Sequence, residues 1–277
     1  MATRAFSSKR PRYGSSATAW LSALRLFQRV VSMLSLGKCT LQLSFSRLLS
    51  SSASGRFQKM NPLQTNLPED QCILVDANDS VIGEECKSKV HTVTEDGELL
   101  LHRAFSVFLF NTHGELLLQK RSACKVTYAN YYTNTCCSHP LANIPKECIE
   151  KDALGIRYAA QRRLQIELGI PPEQAKPEEF KYLTRIHYFD KGDGKFGEHE
   201  IDYILFLQKD VTLDINPDEV SEVKYIKRED FKHFISNLNE PITPWFALIA
   251  KNQLHKWWAN LDQLEKFQDH GKIHKYV

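Results

Sequence analysis

Short apolar runs separated by polar turns make up most of this chain. Cys72-Ile73-Leu74-Val75 and Val81-Ile82-Gly83 flank a polar break at Asn78-Asp79, which predicts two strands joined by a turn. Longer runs from Ala104 to Phe110 and from Leu116 to Lys120 flank Asn111-Thr112-His113-Gly114, and that glycine-containing loop predicts a β-hairpin. The period then becomes helical. Ile156, Ala160, Leu164 and Leu168 fall four apart, so a helix is expected, capped by Asp152 and stopped by Gly169 and Pro171-Pro172. Lys181 to Phe189 and Glu198 to Leu207 predict a further strand pair across Asp190-Lys191-Gly192-Asp193-Gly194. Thr243-Pro244 is expected to open a C-terminal helix, with Thr243 as N-cap and Pro244 in the first helical position.

Residues 1–68 have a different character. They contain no acidic residue, many serines and ten of the 36 Lys and Arg residues, with apolar clusters such as Trp20-Leu21-Ser22-Ala23-Leu24-Arg25-Leu26-Phe27. An Arg-rich, Ser-rich, acid-free amphipathic segment has the composition of an organelle transit peptide, mitochondrial in type. A disordered basic tail, or an upstream start that is not the native one, has the same composition, and Met60 can serve as an internal start that yields a cytosolic form. The division expected is therefore a leader over 1–68 and a folded domain over 69–277.

That division changes the charge picture. The formal net charge of +3 belongs to the leader, because beyond it 26 basic residues face all 33 acidic ones. A nucleic-acid footprint is excluded on that ground, since no domain face carries the basic excess. No apolar run reaches the length that spans a bilayer. Cys72, Cys86, Cys124, Cys136, Cys137 and Cys148 lie in the body without a regular framework, which points to free thiols in a reducing compartment.

Chemistry-bearing residues gather in three places. The first is Thr133-Asn134-Thr135-Cys136-Cys137-Ser138-His139-Pro140, just ahead of the expected helix. In extended backbone, residues two apart point to one side, so Cys137 and His139 are expected to share a cavity while Cys136 and Ser138 face away. A buried cysteine is commonly a small hydrophobe, and the pair alone fits that reading as well as a reactive one. The second place is Gly197-Glu198-His199-Glu200-Ile201-Asp202-Tyr203, where strand alternation puts three carboxylates on one face. Facing solvent they repel only mildly; facing inward they require a divalent cation or a shared proton. His91, before the first long strand, and His102, at its start, can complete such a site with His139, Glu198 and Glu200. Mixed imidazole and carboxylate donors suit Zn²⁺, Mn²⁺ or Fe²⁺. The third group is cationic: Lys87, Arg121, Lys125, Arg162 and Arg163 can line one side of a cavity and clamp phosphate oxygens. Arg163 and Glu167 stand one helical turn apart, which by itself reads as a surface ion pair. Beside a metal site the same spacing reads as a diphosphate held by cations and a Glu-bound Mg²⁺.

Taken together, these segments resemble one family closely, type I isopentenyl-diphosphate isomerase, a member of the Nudix-fold superfamily. The resemblance covers about residues 70–270. It rests on His91 with Leu101-His102-Arg103-Ala104-Phe105-Ser106, on the Thr133 to Pro140 segment, on Arg162-Arg163-Leu164-Gln165-Ile166-Glu167-Leu168-Gly169, on Gly197 to Tyr203, and on Thr243-Pro244-Trp245-Phe246. It implies an α/β Nudix-like sandwich with a mixed sheet, helices on both faces and an added C-terminal helix. It implies conversion of isopentenyl diphosphate to dimethylallyl diphosphate, as in isoprenoid and sterol precursor synthesis, with Cys137 and Glu200 exchanging protons on opposite faces of the C=C unit. Trp245 and Tyr188 would stabilise the carbocation-like species. The matching metal ligands are His91, His102, His139, Glu198 and Glu200 for one Zn²⁺, Mn²⁺ or Mg²⁺, with Mg²⁺ at Glu167 bridging to the diphosphate. Lys87, Arg121, Lys125, Ser138 and Arg163 match substrate contacts. Spacing and family pattern both select Cys137 over Cys136, and the expected partner is a small diphosphate bound by a monomer.

Some positions depart from the pattern. Only Glu167 remains where a Nudix hydrolase shows several glutamates, which argues against a second reading, diphosphate hydrolysis. The Cys137 and Glu200 pair argues against a third, a non-catalytic prenyl-diphosphate or metal-binding protein. Ala129-Asn130 stands where the family usually has Pro-Gly, and Phe196 where vertebrate relatives usually have Trp. The end of the chain, His274-Lys275-Tyr276-Val277, is a poor match to a peroxisomal Ser-Lys-Leu address.

Overall fold

The computed structural model describes residues 70–277. The leader, Cys39 and the start at Met60 lie outside the described residues.

β1 (Gln71–Val75) and β2 (Val81–Cys86) pair antiparallel across the expected turn. The Asp76 carboxylate accepts the N–H groups of Asn78 and Ser80, each at 2.9 Å, and Asp79 takes a left-handed conformation at φ 68° that aspartate tolerates. Asp79 is buried, and three elements hold it. Its carboxylate accepts from Arg103 Nε and Arg185 Nη1, both at 2.7 Å, and from the Tyr203 hydroxyl. The pinned turn fixes β2, which runs directly into α1 (Lys87–Val90) and His91.

β3 (His102–Phe110) is the spine of the sheet, and all nine of its residues are buried. A strand covered on both faces loses the polar alternation of an exposed sheet, which is why this run reads as almost continuously apolar. Along one edge it pairs in parallel with β8 (Glu198–Gln208), from His102 opposite Glu200 to Phe110 opposite Gln208. The other edge is shared: β1 meets it at His102, β6 (Cys136–Ser138) at Phe105 to Val107, and β4 (Leu116–Arg121) at Phe110 alone. The expected β3–β4 hairpin is therefore open. An edge pairs with one strand at a time, and β6 occupies it, so β4 swings away to pair with β5 (Tyr132–Thr133) and β9 (Val220–Ile226).

α2 (Leu154–Leu168) lays Ile156, Ala160, Leu164 and Leu168 on one face of the sheet against Phe105, Val107 and Leu205, as the periodicity predicts. Its start differs from expectation. Asp152 and Ala153 are left-handed, at φ 53° and 54°, and no side chain caps the helix. Gly155 instead passes so close to Glu147 that a Cβ would lie 2.2 Å from its carbonyl oxygen. At the other end Gly169 closes the helix at φ 65°, as predicted.

The opposite face is covered by α3 (Arg228–Ser236) and by the C-terminal segment, so helices lie on both sides of a mixed sheet. The single C-terminal helix expected is three joined pieces: α4 (Pro244–Ile249), a π-type turn over Ala250–Leu254, and α5 (His255–Trp258). Thr243 does stand at the N-cap, but its hydroxyl bonds Thr133 Oγ1 at 2.8 Å instead of the helix backbone. β10 (Ile273–Tyr276), which the sequence pattern did not predict, adds in parallel to the outer edge of β7 (Lys181–Asp190). No helix among the described residues is long and apolar enough to cross a membrane.

Candidate active site

The three chemistry-bearing segments meet because β3 carries one of them on each edge. Pairing places Cys137 opposite Ser106 on one side, and Glu200 opposite His102 on the other. Both open into a cavity of about 540 Å³ that Tyr188, Phe196 and Trp245 also line.

Five buried side chains gather at its first side, four of them in the wall and His102 directly behind. One donor atom from each of His91, His102, His139, Glu198 and Glu200 lies within 4.8 Å of all the others. His91 Nδ1 bonds the Lys87 carbonyl at 2.7 Å and His102 Nδ1 bonds that of Leu100 at 2.9 Å, which turns both Nε2 lone pairs toward the centre. His91 Nε2 lies 2.9 Å from Glu198 Oε2, and His139 Nε2 lies 2.9 Å from Glu200 Oε1. His102 Nε2 stands 3.6 Å from Glu200 and has no hydrogen-bond partner. His139 Nδ1 likewise has no partner, and three convergent imidazoles with two carboxylates fit a divalent cation. Burial drives His139 well below the ordinary histidine range, helped by His91 and His102. For His91, burial works downward but the Glu198 charge outweighs it, and its pKa is raised.

The thiol and the second carboxylate form the next part. Burial pushes Cys137 up to about 12, with the Asp202 charge adding to it, so the group is a neutral thiol at neutral pH. It donates to Asn134 Oδ1 at 2.9 Å and accepts the indole N–H of Trp245 at 2.9 Å. Cys136 points the other way into the apolar core and is fully buried. Glu200 accepts from the Tyr188 hydroxyl, which burial and the Glu200 charge hold in its neutral form. Asp202, on the same strand face, does not join the metal donors. Burial and Glu200 raise its pKa well above the carboxylate range, and Ser106 Oγ donates to it at 2.7 Å.

The cations make the remaining wall. Lys87, Arg121, Lys125 and Arg163 all line the cavity. Arg162 does not: its guanidinium bonds Glu147 at 2.7 and 2.9 Å and the His139 carbonyl at 3.2 Å, which buttresses the metal-facing loop from behind. Arg163 and Glu167 form a buried pair at 2.6 Å, unlike the surface pair that spacing alone suggests. Burial works to raise Glu167, but Arg163 and Lys125 outweigh it and hold the carboxyl at about 2. Glu219, which the sequence reading missed, accepts from Lys125 at 2.5 Å and lies 3.2 Å from the same Arg163 nitrogen. Glu219 and Asp218 stand in the cavity wall, whereas Glu167 lies behind Arg163 and is also held by Gln119 at 3.0 Å.

The sequence-predicted site residues line this cavity except His102, which reaches it only through the donor cluster, and Glu167. Ser138 was expected by alternation to face away, yet it lines the wall, because β6 ends there and the chain turns into His139 and Pro140. Asn134 was passed over. Its signal was available in the run Thr133-Asn134-Thr135, three consecutive polar residues that are all completely buried. Asn130 takes the left-handed conformation, φ 65°, expected of it where the family has glycine.

Fold and site together define a NUDIX-domain protein, and residues 100–246 match that family's model. An isopentenyl-diphosphate Delta-isomerase 1 from Bos taurus is 53% identical over 215 residues, covering 76% of this chain and 94% of the relative. An isopentenyl-diphosphate Delta-isomerase I from Clarkia breweri is 51% identical over 215 residues, covering 75% of each chain. One from Cannabis sativa, named chloroplastic, is 44% identical over 259 residues, covering 90% of this chain and 89% of the relative. The chain belongs to the isopentenyl-diphosphate Delta-isomerase family.

Proposed function

We propose that this chain interconverts isopentenyl diphosphate and dimethylallyl diphosphate, with Cys137 and Glu200 as the two proton-transfer groups. The carrying observation is that both open into one cavity from opposite edges of β3, each with a hydrogen-bonded aromatic partner. One of the pair gives a proton to the alkene while the other removes one from the allylic carbon; the reverse reaction exchanges their roles. One proton is gained and one lost, and only the double bond moves. A neutral thiol is a weak acid and an alkene a poor base, so the step needs a site shielded from water. Tyr188 and Trp245 supply that shielding as buried walls and orient the two reacting groups.

His91, His102, His139, Glu198 and Glu200 would hold Zn²⁺, Mn²⁺ or Mg²⁺. Such an ion supplies positive charge that offsets the two carboxylates and fixes their orientation. Lys87, Arg121, Lys125, Ser138 and Arg163 bind the diphosphate, and Glu167, engaged by Arg163 and Gln119 behind the wall, would hold an accompanying Mg²⁺ on giving up those partners. The sparse glutamates of α2 favour isomerisation over hydrolysis. We read residues 69–277 as one monomeric isomerase domain serving isoprenoid and sterol precursor synthesis, and residues 1–68 as an organelle leader, mitochondrial by composition.

Proton NMR of isopentenyl diphosphate with the metal-loaded protein in D₂O tests substrate and reaction together. Deuterium should enter both isomers, and Cys137→Ala or Glu200→Gln should abolish this. Absence of exchange by the unaltered protein with metal present would sink the reading, and release of phosphate or monophosphate would favour hydrolysis.

A further inference from the structure

Asn134 takes no part in the metal site, the diphosphate contacts or the proton transfers, yet it is completely buried beside the thiol. Its Nδ2 donates to the carbonyl of Val107 at 3.0 Å and to that of Cys136 at 3.2 Å. Carbonyl oxygens only accept, so the amide cannot turn over, and Oδ1 is fixed on the opposite side as an acceptor. Three donors converge on it: the Cys137 thiol at 2.9 Å, Thr133 Oγ1 at 3.0 Å and Trp245 Nε1 at 3.2 Å. Thr133 is itself tied to Thr243 at 2.8 Å, so the acceptor is anchored to the start of the helix that carries Trp245.

We infer that Asn134 is a positioning residue for the isomerisation, whose fixed Oδ1 sets where Cys137 Sγ sits and where its hydrogen points. The inference rests on the isomerase reading. A thiol turns easily about Cβ–Sγ, so an unheld S–H distributes itself over the staggered directions. With Asn134 accepting from the sulfur and Trp245 donating to it, one arrangement is selected, and the sulfur faces the cavity the same way in every molecule. Proton transfer requires reacting atoms aligned at about 3–3.5 Å, and a displacement near 1 Å costs on the order of a hundredfold in rate. Trp245 Nε1, also at 2.9 Å, is a donor to the sulfur and leaves the direction of the S–H to its acceptor, Asn134. Ser106 and Thr133 approach the sulfur only at 3.6 and 3.7 Å, and Ser106 is engaged by Asp202.

The test reads the thiol directly. The infrared difference between the unaltered protein and Cys137→Ala isolates the Cys137 S–H stretch, which a donated hydrogen bond moves below the frequency of the other thiols. In Asn134→Leu, which keeps volume but removes the acceptor, the band should rise to the free-thiol position. In the same variant kcat should fall at least about tenfold, with KM held within about twofold. A free-thiol frequency in the unaltered protein overturns the inference, and that measurement requires no variant at position 134 to fold. Unchanged kcat in Asn134→Leu, or a loss carried by KM alone, overturns it too. The isomerase reading fails separately, through lack of turnover by the unaltered protein.

Discussion

The indole N–H of Trp245 stands 2.9 Å from Sγ of Cys137, so the ring meets the thiol with its edge. The Arg121 guanidinium lies 5.8 Å from the ring centroid, over the indole, and Tyr128 packs edge-on with its ring centroid 5.1 Å away. The family resemblance implies a π face of Trp245 for cation stabilisation; the structure adds a directed hydrogen bond to the Cys137 thiol.

Trp245→Phe separates those two contributions, because it keeps an aromatic face and removes the donor. Losing one hydrogen bond of about 1–1.5 kcal/mol should lower kcat/KM roughly tenfold. Trp245→Ala should lower it further, by about another tenfold, through lost aromatic stabilisation and shielding. Steady-state kinetics of the two variants decide this, and a Phe variant as active as the parent would show the N–H contact to be idle.

Stripping the metal should expose the repulsion that the His and Glu cluster contains. Elemental analysis should find a divalent ion bound at this cluster, lost in His139→Ala and Glu198→Gln. At free metal near a hundredfold over Kd, binding should stabilise the fold by about 2.7 kcal/mol. Chelation should therefore lower the melting temperature and remove activity together, and metal return should restore both.

Removing one partner of the buried Arg163 and Glu167 pair leaves a charge that Glu219 or Lys125 compensates only in part, whereas removing both need not. Glu167→Leu or Arg163→Met alone should cost about 3–5 kcal/mol in denaturant unfolding, and the double variant should recover much of that loss. Activity should stay low in all three, since Arg163 lines the cavity.

Tyr128 joins the cavity rim to the far end of β7 by donating to Asp190 at 2.6 Å. A bond to a charged acceptor is worth about 1.5–3 kcal/mol, so Tyr128→Phe should speed amide exchange over residues 122–131 by roughly tenfold or more. KM for isopentenyl diphosphate should rise, because Lys125 belongs to this segment and Arg121 adjoins it. Exchange unchanged in that segment would show that the rim is held elsewhere.

Alkaline stability should report Tyr182, whose hydroxyl burial pushes from 10.0 up to about 12, with Arg185 opposing and Asp79 adding. An acid with a raised folded pKa retains its proton longer in the native state. The stability it contributes is complete below pH 10 and is lost as pH rises toward about 12. Tyr182→Phe should flatten that limb of the urea midpoint against pH.

Much of the architecture was legible from local pattern. The four-residue spacing of Ile156 to Leu168 and the strand pair Lys181 to Leu207 required only periodicity, and both stand where predicted. The α2 cap was misread because Asp152 is a good capping residue in isolation, while close packing of Gly155 on Glu147 set the chain's entry angle instead. The β3–β4 hairpin forms at its expected turn but pairs only at Phe110 and Leu116, because a loop sequence reports a turn and not which strand later claims the edge. Ser138 defeated alternation for a related reason, since its strand ends at that residue.

The sequence by itself determined which candidate residues share a side of the chain: Cys137 two residues before His139, and the carboxylates Glu198, Glu200 and Asp202 on one strand face, follow from backbone geometry that operates over a few residues. Only the tertiary structure decided which of them meet. Pairing on the two edges of β3 brought thiol and carboxylate to one cavity; Ser106 drew Asp202 away from the metal donors; Glu219 joined Arg163 from a distant loop; Asn134 turned its oxygen to the sulfur. All but the last are contacts between residues tens of positions apart, and the energies of all of them depend on burial and direction, which a linear pattern does not contain.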